Sequence, residues 1–256
     1  MVEINKNEAK RYLGYRGITE LDASVDRMLD DCIREVREKA EPREVHMTFP
    51  ILWDADRMGC SFAGIHVPVY AVNAAEETCA PGTADAIPEE TDALRNTDGE
   101  NGSRQESGLI RNLRGCSEIV LLAVTIGPEP DRLVRRAEIR NMLQAYCYQA
   151  VGAACVEAWC EEVNERIRLE AAEKELFTRP RFSPGYGDFP LAVQRDFERI
   201  LEMPKKIGVS LSESLLMTPT KSITAVIGLS SVKTDCHRTG CEECNMAQSC
   251  AFSRIK

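Results

Sequence analysis

The chain has 256 residues, 43% of them hydrophobic and 29% charged, enough to bury one sizeable core in a single domain with room for a small appendage. A formal charge of −9, with no cluster of Lys and Arg, argues against a nucleic-acid partner, because neutralising phosphates needs concentrated positive charge. No run approaches the ~20 apolar residues of a membrane span, and the opening MVEINKNEAKRYLGYRG is too polar for an export signal; the expectation is a cytoplasmic chain whose eleven cysteines are thiols or ligands, not a disulfide framework.

In chain order, Leu21, Val25, Met28, Leu29, Cys32, Ile33 and Val36 recur at helical spacing, with Thr19 as the N-cap and Pro42 beyond the end. Val45 to Leu52 and Gly64 to Val72 are β-prone and interrupted by Pro50 and Pro68, which places them near a sheet edge. From Ala74 to Ser107 the chain turns polar and small, and the reading is a mobile loop or insertion. A short helix around Leu109 to Leu113 leads to SEIVLLAVTIG, whose continuous apolar run fits a buried strand.

After Pro128 and Pro130 a short helix and then a long one carry the chain to about Glu175. On the long helix Val156, Trp159, Cys160, Val163 and Ile167 form the inward stripe, while Ala150, Ala153 and Glu157 lie on an adjacent stripe of small residues that permits close approach. Glu161, Glu162 and Glu165 read as solvated, and Cys147, Cys155 and Cys160 as small core residues. Another helix is expected from Leu191 to Leu201, ending near Pro204, and a strand from Lys221 through SITAVIGLS, with Ser222 and Thr224 as polar contacts on it. The fold class is therefore α+β, with a central, mostly antiparallel sheet flanked by helices.

Between the long helix and the next one runs RFSPGYGDFP, Arg181 to Pro190, too irregular for core. Pro184 presets a turn, Gly185 tolerates positive φ, and Gly187 and Pro190 keep the stretch from becoming helix, so Tyr186 is thrown out at a bend. Arg181 adds a planar fork able to grip a carboxylate bidentately. The following helix N-terminus, with its free amides, would complement the loop in holding the carboxylate of an amino-acid-like ligand.

Arg-x-x-x-Gly-Tyr-x-x-x-Pro, here Arg181, Gly185, Tyr186 and Pro190, resembles the signature of the reactivation domain of cobalamin-dependent methionine synthase, a loop that in the family binds S-adenosylmethionine. VEAWCEEVNERIR resembles the family's upstream helix, with Glu157 at the position of its ligand-facing glutamate, and LSESLLMTPTKSITAVIGL resembles its Ser-Glu-Ser, Met-x-Pro and Ser-strand sequence, with Ser222 on that strand. The likeness runs from Leu109 to Leu229. No methionine-binding barrel, folate barrel or cobalamin segment accompanies it, so the resemblance implies a free-standing reactivation component, residues 1–235, followed by a cysteine-rich tail, 236–256.

The implied activity is reductive methylation in methionine synthesis: a partner's inactive cobalamin accepts one electron from a donor protein and a methyl group from S-adenosylmethionine. On that reading the chain is the methyltransferase's reactivation component, working beside a cobalamin-binding methionine synthase subunit. Arg181 would fix the ligand's carboxylate and Glu157 its ammonium or a ribose hydroxyl. Gly185 would let the backbone approach, Pro190 would end the loop, and Tyr186, the candidate catalytic residue, would meet the cobalamin.

The tail, CHRTGCEECNMAQSC, is a separate signal. Cys236, Cys241, Cys244 and Cys250 are separated by four, two and five residues, a density suited to zinc or an iron–sulfur cluster, with a reduced, metal-free tail as the remaining alternative. A metal-loaded tail would make the chain an electron-transfer or metal-binding protein; a groove without catalysis would make it a regulatory S-adenosylmethionine-binding subunit.

Overall fold

The computed structural model describes residues 1–15, 21–55, 59–69 and 107–233. Its centre is a four-stranded antiparallel sheet in the order β1 (Arg43–Pro50), β5 (Glu118–Thr125), β9 (Ser222–Ser230) and β6 (Phe177–Thr178). β5 is buried along almost its whole length because both faces of the sheet are covered there. Its residues alternate between two cores, as strand geometry requires: Val120, Leu122 and Val124 point to one, Ile119, Leu121 and Ala123 to the other.

The first face is covered by α1 (Lys6–Tyr12), α2 (Ala23–Lys39), α4 (Glu129–Arg140) and α5 (Met142–Glu173). At ~1.5 Å per residue, the 32 residues of α5 extend about 48 Å, long enough to cross the whole layer. It buries Val151, Cys155, Val163 and Ile167 in a core shared with Leu29, Ile33 and Val36 of α2 and Leu133 and Ala137 of α4. The N-cap of α2 is Asp22, whose carboxylate accepts the Ser24 amide; Thr19, expected in that role, falls outside the described residues. The extreme N-terminus packs on the same core through Val2, Ile4 and Ala9.

The second face is covered by short pieces. These are the three-stranded sheet β2 (Leu52–Trp53), β3 (Gly59–Phe62) and β4 (Ile65–Pro68), then α3 (Gly108–Leu113), α6 (Gln194–Ile200), α7 (Met203–Lys206) and the hairpin β7 (Ser210–Leu211) to β8 (Met217–Thr218). α3 presses so closely on β9 that a Cβ on Gly228 would stand 2.7 Å from the Cys116 sulfur and 2.9 Å from Leu113 Cδ2. Trp53 pins the small sheet by donating its indole N–H to the Cys116 carbonyl at 3.1 Å.

An α+β fold around a mostly antiparallel sheet is therefore what the chain adopts. Two local readings are corrected. The helix after the signature loop opens with a single 3-10 turn, Leu191–Val193, before α6, and Pro204 lies in the first turn of α7 instead of ending a helix, the break falling at Glu202 with φ 51°. Of the polar segment 74–107 only Ser107 is described, and it is a buried cap whose hydroxyl accepts the Ile110 amide. Residues 74–106, and with them the insertion reading, lie outside the described residues.

Candidate functional site

Arg181 leaves the strand region just after β6 and reaches onto α5. Its Nη1 donates to the Cys160 sulfur at 2.7 Å, and its Nη2 stands 3.5 Å from Glu157 Oε2 and 3.3 Å from Glu161 Oε2. The three α5 residues fall together because positions i, i+3 and i+4 share one helical face. Burial disfavours the guanidinium charge, but Cys160, Glu157 and Glu161 outweigh it and hold the Arg181 pKa above its ordinary value. The Cys160 thiol, fully buried, is pushed up to about 11 by desolvation, with Arg181 pulling the other way. It stays protonated at neutral pH and accepts the guanidinium hydrogen bond.

The loop behind Arg181 is anchored at three points. Phe182 exchanges both main-chain hydrogen bonds with Val226 of β9, at 3.0 and 2.8 Å, and its ring packs edge-on to Tyr186, with centroids 5.6 Å apart. Phe189 is buried and closes the turn by accepting the Gly185 amide at 2.8 Å. Asp188 accepts the Gly108 amide with both carboxylate oxygens, each at 3.0 Å, which ties the loop to the first turn of α3. Gly185 sits at φ +83°, and a Cβ there would meet Leu191 Cδ1 at 3.0 Å, so the space its missing side chain frees is filled by the loop's own leucine. Tyr186 stands out at 52% exposure, and Pro190 opens the 3-10 turn, its carbonyl accepting the Val193 amide.

Phe182 leaves β9 halfway along its edge. Val226 bonds toward Phe182 and the Lys221 carbonyl accepts from Ile126 on the β5 side, so the alternation turns the main-chain groups of Ser222 and Thr224 toward the vacated edge, where no described residue pairs with them. The Ser222 hydroxyl itself is buried and engaged, 2.9 Å from Thr125 Oγ1 and 2.8 Å from the Pro219 carbonyl. The sheet geometry thus separates Ser222 from Arg181 along β9, whereas α5 brings Arg181 and Glu157 together.

On the same face of α5, one turn N-terminal to Glu157, opens a cleft of about 600 Å³. Its floor is the small stripe Ala150 and Ala153, flanked by Tyr146, Gln149 and Leu143; its other wall is Tyr12 at the end of α1, Leu13, Gly14 and Tyr15 just beyond it, and Val25 of α2. Tyr12 joins the cleft to the ion-pair cluster: burial, and then the Glu157 charge, raise the pKa of its hydroxyl. The arrangement offers an apolar, tyrosine-lined slot whose floor residue Ala153 is one helical turn from the Glu157–Arg181 pair.

Sequence reasoning found Arg181, Glu157 and the small stripe, and missed their neighbours. Glu161, read as solvated, is the nearer carboxylate to Arg181, and its position one turn beyond Glu157 was the available signal. Cys160 is core, as expected, but also holds the guanidinium. Asp188 and Tyr12 had no motif to mark them. The proposed metal ligands Cys236, Cys241, Cys244 and Cys250 lie outside the described residues; among the described residues no group of three or more His, Cys, Asp or Glu is arranged to hold a metal, and no helix is long and apolar enough to cross a membrane.

Residues 115–237 match the family model described as the activation domain of vitamin B12 dependent methionine synthase. Among solved structures the chain is similar to the MetH reactivation domain, crystallised bound to AdoHcy, with a TM-score of 0.54 and 17% identity over 91% of this chain and 78% of that one. No curated protein matches. The chain resembles the reactivation domain of cobalamin-dependent methionine synthase, in its signature loop, in the match over its C-terminal half, and in its fold.

Proposed function

We propose that the chain binds S-adenosylmethionine at Arg181 and along the adjoining α5 cleft, and serves the reductive methylation of a cobalamin carried by a partner methionine synthase subunit. The observation that carries this reading is the meeting of Arg181 and Glu157, 3.5 Å apart, beside a cleft of about 600 Å³. The family match over residues 115–237 and the likeness to a domain bound to AdoHcy support it.

The free protein's ion pair is itself a template for an amino-acid zwitterion. A ligand carboxylate entering beside Arg181 takes over the contacts that Nη2 now makes with Glu157 and Glu161, and the released Glu157 carboxylate accepts from the ligand's ammonium. The ligand's carboxylate and ammonium each find a charged partner as they leave water, which offsets part of their desolvation cost. The adenosyl part then lies over Ala150 and Ala153 between the tyrosines, in a cleft within the usual size range of small-molecule sites, ~300–1,000 Å³.

The sulfonium needs no acid or base to depart, so the chain's residues contribute orientation. The partner's cobalamin, after one-electron reduction by a donor protein, supplies the methyl acceptor. Tyr186, exposed on a loop tied down at Phe182, Asp188 and Phe189, would be the side chain that meets that partner. Gly185, Pro190 and Ser222 keep supporting roles, the first two shaping the loop and the last closing the start of β9.

Isothermal titration with S-adenosylhomocysteine tests the site. Wild type should bind, and Arg181→Ala should weaken binding at least about tenfold, since removing one member of a buried charged contact costs ~2–5 kcal/mol. Absence of binding by wild type, or equal affinity in the variant, overturns the assignment.

A further inference from the structure

Lys221 is a buried lysine that the proposed chemistry does not use. Its side chain is 6% exposed, and the carboxylate that approaches it among the described residues, Asp131, is 3.8 Å away and already accepts from the Thr220 amide and hydroxyl at 2.7 and 2.6 Å. Burial therefore dominates, lowering the lysine's pKa, with Asp131 countering part of the shift. The ammonium instead donates at 2.8 Å to Oε1 of Gln149, with Thr220 Oγ1 at 3.2 Å. Its stem reaches Gln149 by crossing α5 at Gly152, where a Cβ would stand 2.8 Å from Lys221 Cε. Glycine in the middle of a 32-residue helix is locally unfavourable, and here it is what leaves room for the lysine.

Gln149 lines the cleft. A lysine ammonium has donors only, so the amide must turn its oxygen to Lys221, and its two N–H donors then face the other way, with no partner among the described residues. The described cleft wall is otherwise tyrosine, aliphatic side chain and glycine, so among the described side chains lining it this amide is the one donor of fixed polarity.

We infer that Gln149, oriented by Lys221 across Gly152, is the specificity-determining residue of the cleft, donating to a hydrogen-bond acceptor, a ring nitrogen or hydroxyl oxygen, on the nucleoside part of the ligand. This rests on the cleft being the ligand site. Gln149 is exposed in the free protein, so its N–H donors meet water there; a ligand that covers them keeps its affinity only where it presents an acceptor at that place, and one presenting a donor or nothing displaces the water without replacing its hydrogen bonds. Gln149 acts on the ligand; Lys221 and Gly152 act through it as positioning residues.

The test uses the full-length protein and titration with S-adenosylhomocysteine and a set of analogues each lacking one acceptor: the 1-, 3- and 7-deaza bases and the 2′- and 3′-deoxyriboses. For wild type, one analogue should bind about tenfold more weakly than the parent, and in Gln149→Leu that penalty should vanish while the parent's own affinity drops by a similar factor. Gln149→Glu, which replaces the donors by a carboxylate oxygen, should bind at least as poorly as Gln149→Leu. Lys221→Met, which frees the amide to flip, should fall between them and wild type. If Gln149→Leu and wild type show the same affinities across the set while Arg181→Ala is weakened, the inference is overturned and the ligand site stands. If wild type binds neither parent nor analogue, the ligand reading falls and takes this inference with it.

Discussion

The two faces of the central sheet are built on different principles. One is closed by four helices whose apolar residues repeat at helical spacing, Leu29, Ile33 and Val36 on α2 and Val151, Cys155, Val163 and Ile167 on α5. The other is closed by helices of four to seven residues, two small hairpin sheets and a loop held by Phe182, Asp188 and Phe189. The candidate site lies where the two meet, with Arg181 from the loop reaching Glu157, Cys160 and Glu161 on the helix. The difference assigns roles: the helical face is a rigid rail carrying Glu157 at a fixed height, and the loop face supplies the groups that must approach a ligand and a partner.

The sharpest challenge to that division is whether the faces melt together. Leu122→Ala on the helical side and Phe189→Ala on the loop side each remove a fully buried side chain, and each should cost about 3–5 kcal/mol. A single urea transition shifted by both variants means that β5 couples the faces into one cooperative unit. A separate early transition in Phe189→Ala would make the loop face an independently melting cover. Gly228→Ala probes the contact on which the loop face rests: with Cys116 and Leu113 inside 3 Å of the new methyl group, it should destabilise by about 1–3 kcal/mol and shift the same transition.

A smaller effect separates stability from binding. Asp188→Asn leaves the loop its shape but weakens the paired bonds to the Gly108 amide, and should cost about 1 kcal/mol. If the loop is the adaptable partner of a rigid rail, S-adenosylhomocysteine affinity should fall by more than that stability loss explains, by about tenfold, because Arg181 then has to be ordered on binding. Equal, slight losses in both measurements would mean that Arg181 is held by α5 alone.

The same contrast explains what was legible in the sequence. β5, α4 and α5 could be read because long periodic or continuous apolar runs leave few alternatives, and β9 because nine consecutive residues suit a strand. The N-terminal α1 was not seen, since only Val2, Ile4 and Ala9 bury there and three apolar residues make no periodicity. With α1 unread, the wall of the cleft from Tyr12 to Tyr15 stays hidden, although the facing stripe of Ala150 and Ala153 is legible. α7 is missed from the sequence because Pro204 reads as a helix stop, whereas proline in a first turn is a start. In the sequence Lys221 reads only as the start of a strand; its burial depends on Gly152, sixty-nine positions earlier, and no local pattern links the two.

The least effect expected tests the rail itself, at the point where the edge strand β1 meets the C-terminal half of α5. His46 Nδ1 lies 3.0 Å from Glu44 Oε2 and its Nε2 3.5 Å from Glu170; Arg166 reaches Glu44 at 3.4 Å and lies over the Trp159 ring, whose indole donates to the Arg43 carbonyl. The hydrogen bond to Glu44 raises the His46 pKa against the opposing effect of burial, with Glu170 adding to it, while His46 lowers that of Glu44. A histidine whose folded pKa exceeds its unfolded value of ~6.5 contributes stability that is complete below that pH and disappears as the pH rises through the folded pKa. His46→Gln should therefore lower the urea midpoint at pH 5.5, by under about 1 kcal/mol for a pair this near the surface, and match wild type by pH 8.5. A deficit of the same size at both pH values would show that the ring only fills space between β1 and α5. A deficit confined to low pH makes the junction an ion-pair clasp, and the rail then loosens in alkali before the loop face does.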